Sequence, residues 1–204
     1  MLLTKIKEAL NSLYDDIQEV PEAPDAAEAE VSAAEAAPEA ETAPAPEAQA
    51  EEGEPAAGEG EAKTEEAEES AAPPGPKETD YNAKGYHLDV DLPPEKVPEA
   101  AEILLRENFF IESITGVDWI DEQQLEVVYD FNHFDELCRV VIRTRTDRDN
   151  PEIPTISHIY QGANWHERET HDFFGIKFVG HPDLSPLLLP EDADFHPLLK
   201  DFKA

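Results

Sequence analysis

The chain has 204 residues and a formal net charge of −33. Such acidity excludes nucleic acid as a partner, because neutralising phosphates takes clustered Lys and Arg. A single cysteine, Cys138, rules out an intramolecular disulfide and any iron–sulfur cluster held by this chain alone, which suits a reducing compartment.

Residues 1–20 predict an amphipathic helix. Leu3, Ile6, Leu10, Leu13, Ile17 and Val20 recur at alternating steps of three and four, an a/d seam. A helix this short is marginal alone. It either lies back on its own domain or serves as a hook for a partner's groove. Residues 21–79 are rich in Ala, Glu and Pro, and Val31 is their one branched aliphatic residue. They bury too little apolar surface to offset the entropy of ordering, so this stretch is expected to be a disordered acidic linker with long reach. Neither segment carries a signal-type apolar run, and nothing in the chain approaches the ~20 apolar residues of a membrane span. Membrane association is therefore expected only through partners.

Residues 80–204 hold every histidine and are expected to form the folded domain. Tyr86–Leu92 alternates as a strand does, Pro93-Pro94 ends it, and a helix is predicted from about Pro98 to Asn108. Three strands follow, at 109–119, 125–131 and 137–145. In the last, Arg139, Arg143 and Arg145 share one face, while Cys138, Val140 and Ile142 share the other. The resulting fold class is α+β, a two-layer domain with a mainly antiparallel sheet and helices on one face. Thr155 is a candidate N-cap for a helix through Ala163, and Gly162 separates it from a second helix over 165–174. Gly175 suits a left-handed cap, and 176–179 reads as a short strand. From about residue 180 a proline-rich arm is expected to run extended without regular structure.

The densest chemistry lies in Asn164–Phe178, with sequence NWHERETHDFFGIKF. His166, Glu167 and His171 resemble a zinc-protease helix, but the second histidine comes one residue late. Five steps of roughly 100° place the imidazoles about 140° apart, so they cannot share one ion. Glu167, Glu169 and Asp172 could form an acid/base set, and a free-standing hydrolase using Glu167 or Glu169 is one reading. Helical spacing aligns Trp165 with Glu169 and Asp172, and Glu167 with His171 and Phe174. No glycine-rich phosphate loop follows a predicted strand. Cys138 reads as a core thiol. A protein–protein surface accounts for the rest, with aromatic and Arg anchors on a helix and an arm laid along a partner.

These residues also resemble a known family. Trp165 through Glu169, Asp172, Phe174-Gly175-Ile176, Phe178, Gly180 through Leu184, Leu188-Leu189-Pro190, His196-Pro197-Leu198 and Lys200-Asp201-Phe202 are similar to the signature of the C subunit of NADH–quinone oxidoreductase, respiratory complex I. The resemblance covers about residues 86–202. It implies a non-catalytic assembly subunit of the peripheral arm, with no cofactor or metal of its own. The parent complex would carry iron–sulfur clusters and FMN, pump protons, and reduce quinone. Implied partners are the D subunit of such a complex and its neighbours, at the cytoplasmic face of the cell inner membrane. The implied interface comprises Trp165, Glu167, Arg168, Glu169, Asp172, Phe174, Gly175, His181, Pro182, Asp183, His196, Lys200 and Asp201. An equivalent component of a membrane-bound hydrogenase or an F420-linked complex is the alternative. Leu199 departs from the family, which usually shows Arg there, and so do the leading helix and acidic linker.

Overall fold

A computed structural model describes residues 1–17 and 75–203. The expected linker lies outside the described residues as far as residue 74. Its last residues are described, and regular structure begins there, ahead of residue 80: Lys77–Glu78 form a two-residue edge strand, β1. So short and polar a strand has no periodicity to read.

β1 pairs antiparallel with β2, Leu88–Asp91, across a turn containing α2, Tyr81–Lys84. Asp80 caps α2 through the Asn82 N–H, and Gly85 closes it in the left-handed conformation. After a 3-10 turn at Pro94–Lys96 comes α3, Val97–Arg106. Pro98 falls in its first turn, where no backbone donor is needed. The meander follows as β3, Phe109–Trp119, β4, Gln124–His133, and β5, Arg139–Asp147. The sheet order is β1-β2-β5-β4-β3, with β2 parallel to β5 and the other pairs antiparallel. The fold is α+β with a mainly antiparallel sheet, as the alternation patterns indicate.

One face of the sheet is core: Leu88, Val90, Phe109, Leu125, Val127, Tyr129, Phe131, Val140 and Ile142 are all buried. The other is a lattice of ion pairs. Arg139 grips Asp130 with two bonds of 2.7 and 2.8 Å, and Arg143 meets Asp89 at 3.0 Å. Arg145 reaches Glu122 at 2.5 Å and lies over the Trp119 ring, whose indole N–H donates to buried Glu126. The arginine face is therefore satisfied within the chain. A bulge between Ile111 and Ser113 shifts the phase of β3, so Ile114, Gly116 and Asp118 point inward instead of Ser113 and Thr115.

The N-terminal helix α1, Leu2–Ile17, folds back onto this domain. Ile6, Leu10, Leu13 and Tyr14 are buried and belong to the same core as Leu104 and Val90. The Tyr14 hydroxyl donates to the Asp91 carbonyl, and Lys5 pairs with Glu107 at 2.5 Å. Ile6, Leu10 and Leu13 of its apolar seam are thus buried in its own domain, which favours the first of the two readings over the hook.

The expected helix between Thr155 and Ala163 does not form. Thr155 Oγ1 accepts the Ser157 N–H at 3.1 Å and turns the chain, and residues 156–162 run as successive turns. Ahead of them β6, Glu152–Pro154, pairs in parallel with β7, Lys177–Val179. Between these strands stands α4, Ala163–Phe174. Cys138 is buried just before β5, and burial raises its thiol pKa.

Candidate functional site

α4 is held in place from both ends of the chain segment around it. At its C-terminus Gly175 adopts φ 76° and its N–H bonds the His171 carbonyl at 2.8 Å. A Cβ at Gly175 would also lie 2.7 Å from His196 Nε2, so glycine is required twice over. Against the sheet, the Phe174 ring covers Gly116 so closely that a side chain there would collide with it.

The charged residues of the helix separate into three groups. Glu167 is fully buried. Its carboxylate accepts a hydrogen bond from the Thr155 hydroxyl and one from the Ile156 N–H at 2.8 Å, so it pins the 155–157 turn. Burial pushes its pKa up to about 7, against the lowering effect of those two bonds. His181 Nε2 lies 3.8 Å away. His181 Nδ1 accepts the Asp183 N–H, so Nε2 bears the proton and faces the Asn164 carbonyl at 3.3 Å. Burial lowers the His181 pKa, so the pair is a contact between a weakly acidic carboxyl and a neutral imidazole, not an ion pair. Nearby, the buried Tyr129 hydroxyl has no hydrogen-bond partner among the described residues, and burial and then the Glu167 charge hold it protonated.

Asp172 and Arg168 face the C-terminal arm. The Asp172 carboxylate is buried and accepts three backbone N–H groups, from Leu187 and Leu188 at 2.8 Å and Leu189 at 3.3 Å. Burial raises its pKa, but these donors outweigh it and the net shift is downward. Arg168 donates to the Ser185 and Pro186 carbonyls, both at 3.0 Å, and stacks on exposed Trp165. Asp183 turns the arm by accepting the Ser185 N–H at 2.9 Å. His196 Nδ1 bonds the Asp172 carbonyl at 2.8 Å. Replacing Asp172 with Ala should therefore free the arm at about 1–3 kcal/mol of local cost, read as faster proteolysis near Leu187 with little change in global melting.

Asp118 anchors the far end of the arm. It is buried on β3, takes two bonds from Arg148 at 3.0 and 3.2 Å, and accepts the Lys200 N–H at 2.8 Å. Arg148 also reaches Asp201 at 2.5 Å, and its two carboxylate partners raise its pKa. The sequence reading missed Asp118 and Arg148. Their only signal was an acid on the inward phase of a strand, and the bulge concealed that phase. Leu199 packs partly buried against the core, so an apolar contact stands where the family usually has Arg.

Several expected interface residues are thus spoken for. Glu167 and Asp172 are interior, contrary to the surface role expected for them, because each satisfies backbone donors of its own chain. Trp165, Glu169 and Asp172 do not form one accessible stripe, since Asp172 lies beneath the arm. Glu169 is half-exposed, without a hydrogen-bond or ion-pair partner among the described residues. Trp165, Pro182, Asp183, Lys200 and Asp201 are exposed, as are Leu188, Phe195, Leu198 and Phe202 on the arm. Phe195 and Phe202 stack at 5.5 Å. Among the described residues no group of three or more His, Cys, Asp or Glu side chains is placed to hold a metal ion.

A family model described as the respiratory-chain NADH dehydrogenase 30 kDa subunit matches residues 90–204. The C subunit of NADH-quinone oxidoreductase from Roseiflexus sp. (strain RS-1) is 42% identical over 120 residues, which cover 56% of this chain and 68% of that protein. The C/D subunit of NADH-quinone oxidoreductase from Phocaeicola vulgatus is 40% identical over 117 residues, 55% of this chain and 22% of that protein. Among solved structures, a chain of a membrane-bound sulfane sulfur reductase, described as an archaeal respiratory membrane complex, superposes with a TM-score of 0.52. It is 31% identical, over 57% of this chain and 71% of that one.

Proposed function

The chain belongs to the respiratory-chain NADH dehydrogenase 30 kDa subunit family, and on that premise we propose that it is a non-catalytic assembly subunit in the peripheral arm of a proton-translocating NADH–quinone oxidoreductase. The observation that carries the proposal is the use made of the charged segment. Asp172 and Arg168 are consumed in fixing the arm and Glu167 in fixing the 155–157 turn, and the arm presents Leu188, Phe195, Leu198 and Phe202 outward while Trp165 is exposed on α4. Large apolar side chains fixed on an ordered, irregular backbone are the anchors an interface uses. A hydrolase reading of Glu167 loses its support, because a carboxyl buried against Thr155 and Ile156 has no room for a substrate.

The partner is a protein like the D subunit of NADH–quinone oxidoreductase, with its peripheral-arm neighbours; the fused C/D relative favours this choice, since a fusion places the two parts in one chain. Redox chemistry belongs to that assembly, whose iron–sulfur clusters and FMN sit in its other polypeptides. No described helix is long and apolar enough to cross a membrane, so attachment to the cytoplasmic face of the inner membrane runs through the complex.

A tagged full-length chain should recover a multisubunit assembly with bound iron–sulfur clusters from detergent-solubilised membranes. A chain that purifies alone from those membranes would overturn the proposal. The likeness to the sulfane sulfur reductase chain favours a second reading, the equivalent component of a respiratory complex with another electron donor. Whether NADH reduces the clusters of the recovered assembly separates the two.

A further inference from the structure

Beside the arm, α4 and β3 enclose a groove of about 280 Å3. Phe173, Phe174 and Leu198 line it with Gly116 and Glu169, and so do the imidazole of His166 and the hydroxyl residues Ser113, Thr115 and Thr170. β3 is an edge strand, so one side of its backbone lacks a neighbouring strand. Along that side the Phe109 carbonyl accepts from the Tyr160 hydroxyl at 3.1 Å and the Ile114 carbonyl from Thr170 at 3.5 Å. At the far end the Lys200 N–H comes in to the Asp118 side chain. Strand alternation turns Gly116 the same way as Ile114 and Asp118, and its carbonyl has no partner across the open edge among the described residues. The groove thus offers a free carboxylate and a free carbonyl above an aromatic wall.

We propose that this groove receives an arginine side chain from another polypeptide of the complex. This deepens the assembly role proposed above and rests on it. A carboxylate and a carbonyl beside two phenyl rings, with hydroxyls and the His166 ring also at hand, suit a planar group with several donors. Guanidinium meets that need: it takes a carboxylate through paired N–H groups, has donors left for a carbonyl, and stacks on rings. An apolar side chain would leave Glu169 desolvated and unpaired. A carboxylate-bearing partner would face Glu169 and a chain of net charge −33.

The test compares tagged full-length wild type, Glu169→Gln and Glu169→Lys, each drawn from detergent-solubilised membranes and washed for increasing times. Both variants should lose the other polypeptides on the order of tenfold faster than wild type, with Lys the worse. Both should melt as wild type does, since Glu169 has no partner within the chain. A photo-crosslinker at Thr115 should capture a peptide of another polypeptide of the complex, and that peptide should contain Arg. Retention equal to wild type in both variants, a crosslinked peptide without Arg, or unfolding of Glu169→Gln would each overturn the inference. A wild-type chain recovered alone would instead overturn the assembly reading, and this inference with it.

Discussion

Deletion of residues 1–17 should abolish the cooperative melting transition of this protein. Four α1 side chains, Ile6, Leu10, Leu13 and Tyr14, are buried in the core shared with α3 and the sheet. At roughly 1.5–3 kcal/mol for each large apolar side chain, their burial amounts to about 6–12 kcal/mol, an upper bound because unfolded chains are partly compact. Small domains are stable by only about 5–15 kcal/mol, so the loss is comparable to the whole. Leu10→Ala alone should cost about 2–5 kcal/mol by removing packed methyl groups from a fully buried site. The control replaces residues 18–74 with a flexible Gly/Ser linker, and its melting should match wild type, because that stretch has almost no residues able to join a core. Calorimetry of the three proteins decides the matter. A cooperative transition retained without α1 would show that the helix is an accessory.

Glu167 supplies the second large effect, one that depends on pH. Its folded pKa is about 7, raised from an ordinary 4.5 chiefly by burial. The fold therefore binds a proton more tightly than the unfolded chain does. The stability this confers is fully present below pH 4.5 and is lost as pH rises to about 7, a change of roughly 3 kcal/mol. His181 acts in the opposite sense. Burial depresses its pKa below 6.5, so stability falls as pH drops from 6.5 through the folded value. The two slopes offset each other in the mildly acidic range, and above pH 6.5 the Glu167 slope remains alone. Glu167→Gln keeps an oxygen for the Ile156 N–H and can turn its NH2 as donor toward the Thr155 hydroxyl oxygen, but it cannot ionise. Its stability should be flat above pH 6.5, and below that should fall with acid as His181 dictates. Glu167→Lys should instead be destabilised by about 3–5 kcal/mol, since it buries an unpaired cation and strands two donors. Denaturant melts between pH 5 and pH 8 test both variants. An unchanged pH slope in Glu167→Gln would remove Glu167 as its source.

These two results separate the roles of the neighbouring glutamates. Both stand in one charged run and look equivalent as residue types. Reversal at 169 should affect partner retention, while reversal at 167 should affect folding. The difference is one of helical position: Glu167 faces the 155–157 turn beside buried Ala163 and Thr170, whereas Glu169 lies at the groove rim.

Local pattern was enough to find β2, the three long strands, α1, α3 and the Gly175 cap, because each depends on contacts within a few residues or on alternation that a hydrophobic face imposes. The arginines of β5 were legible as one face for the same reason. The run of residues through α4 and the arm was enough for the family resemblance. What the sequence could not decide was where each polar side chain finds its partner. Asp118 meets Lys200 across 82 residues, Tyr14 meets Asp91 across 77, and Glu167 reaches back 11 to Ile156. Such pairings carry no local period. The bulge in β3 moved Asp118 inward, where Arg148 and the Lys200 N–H meet it, and a turn held by Glu167 replaced the helix expected from Thr155. Whether α1 served its own domain or another's, and which carboxylates stayed available to a partner, was settled by packing between segments far apart in the chain.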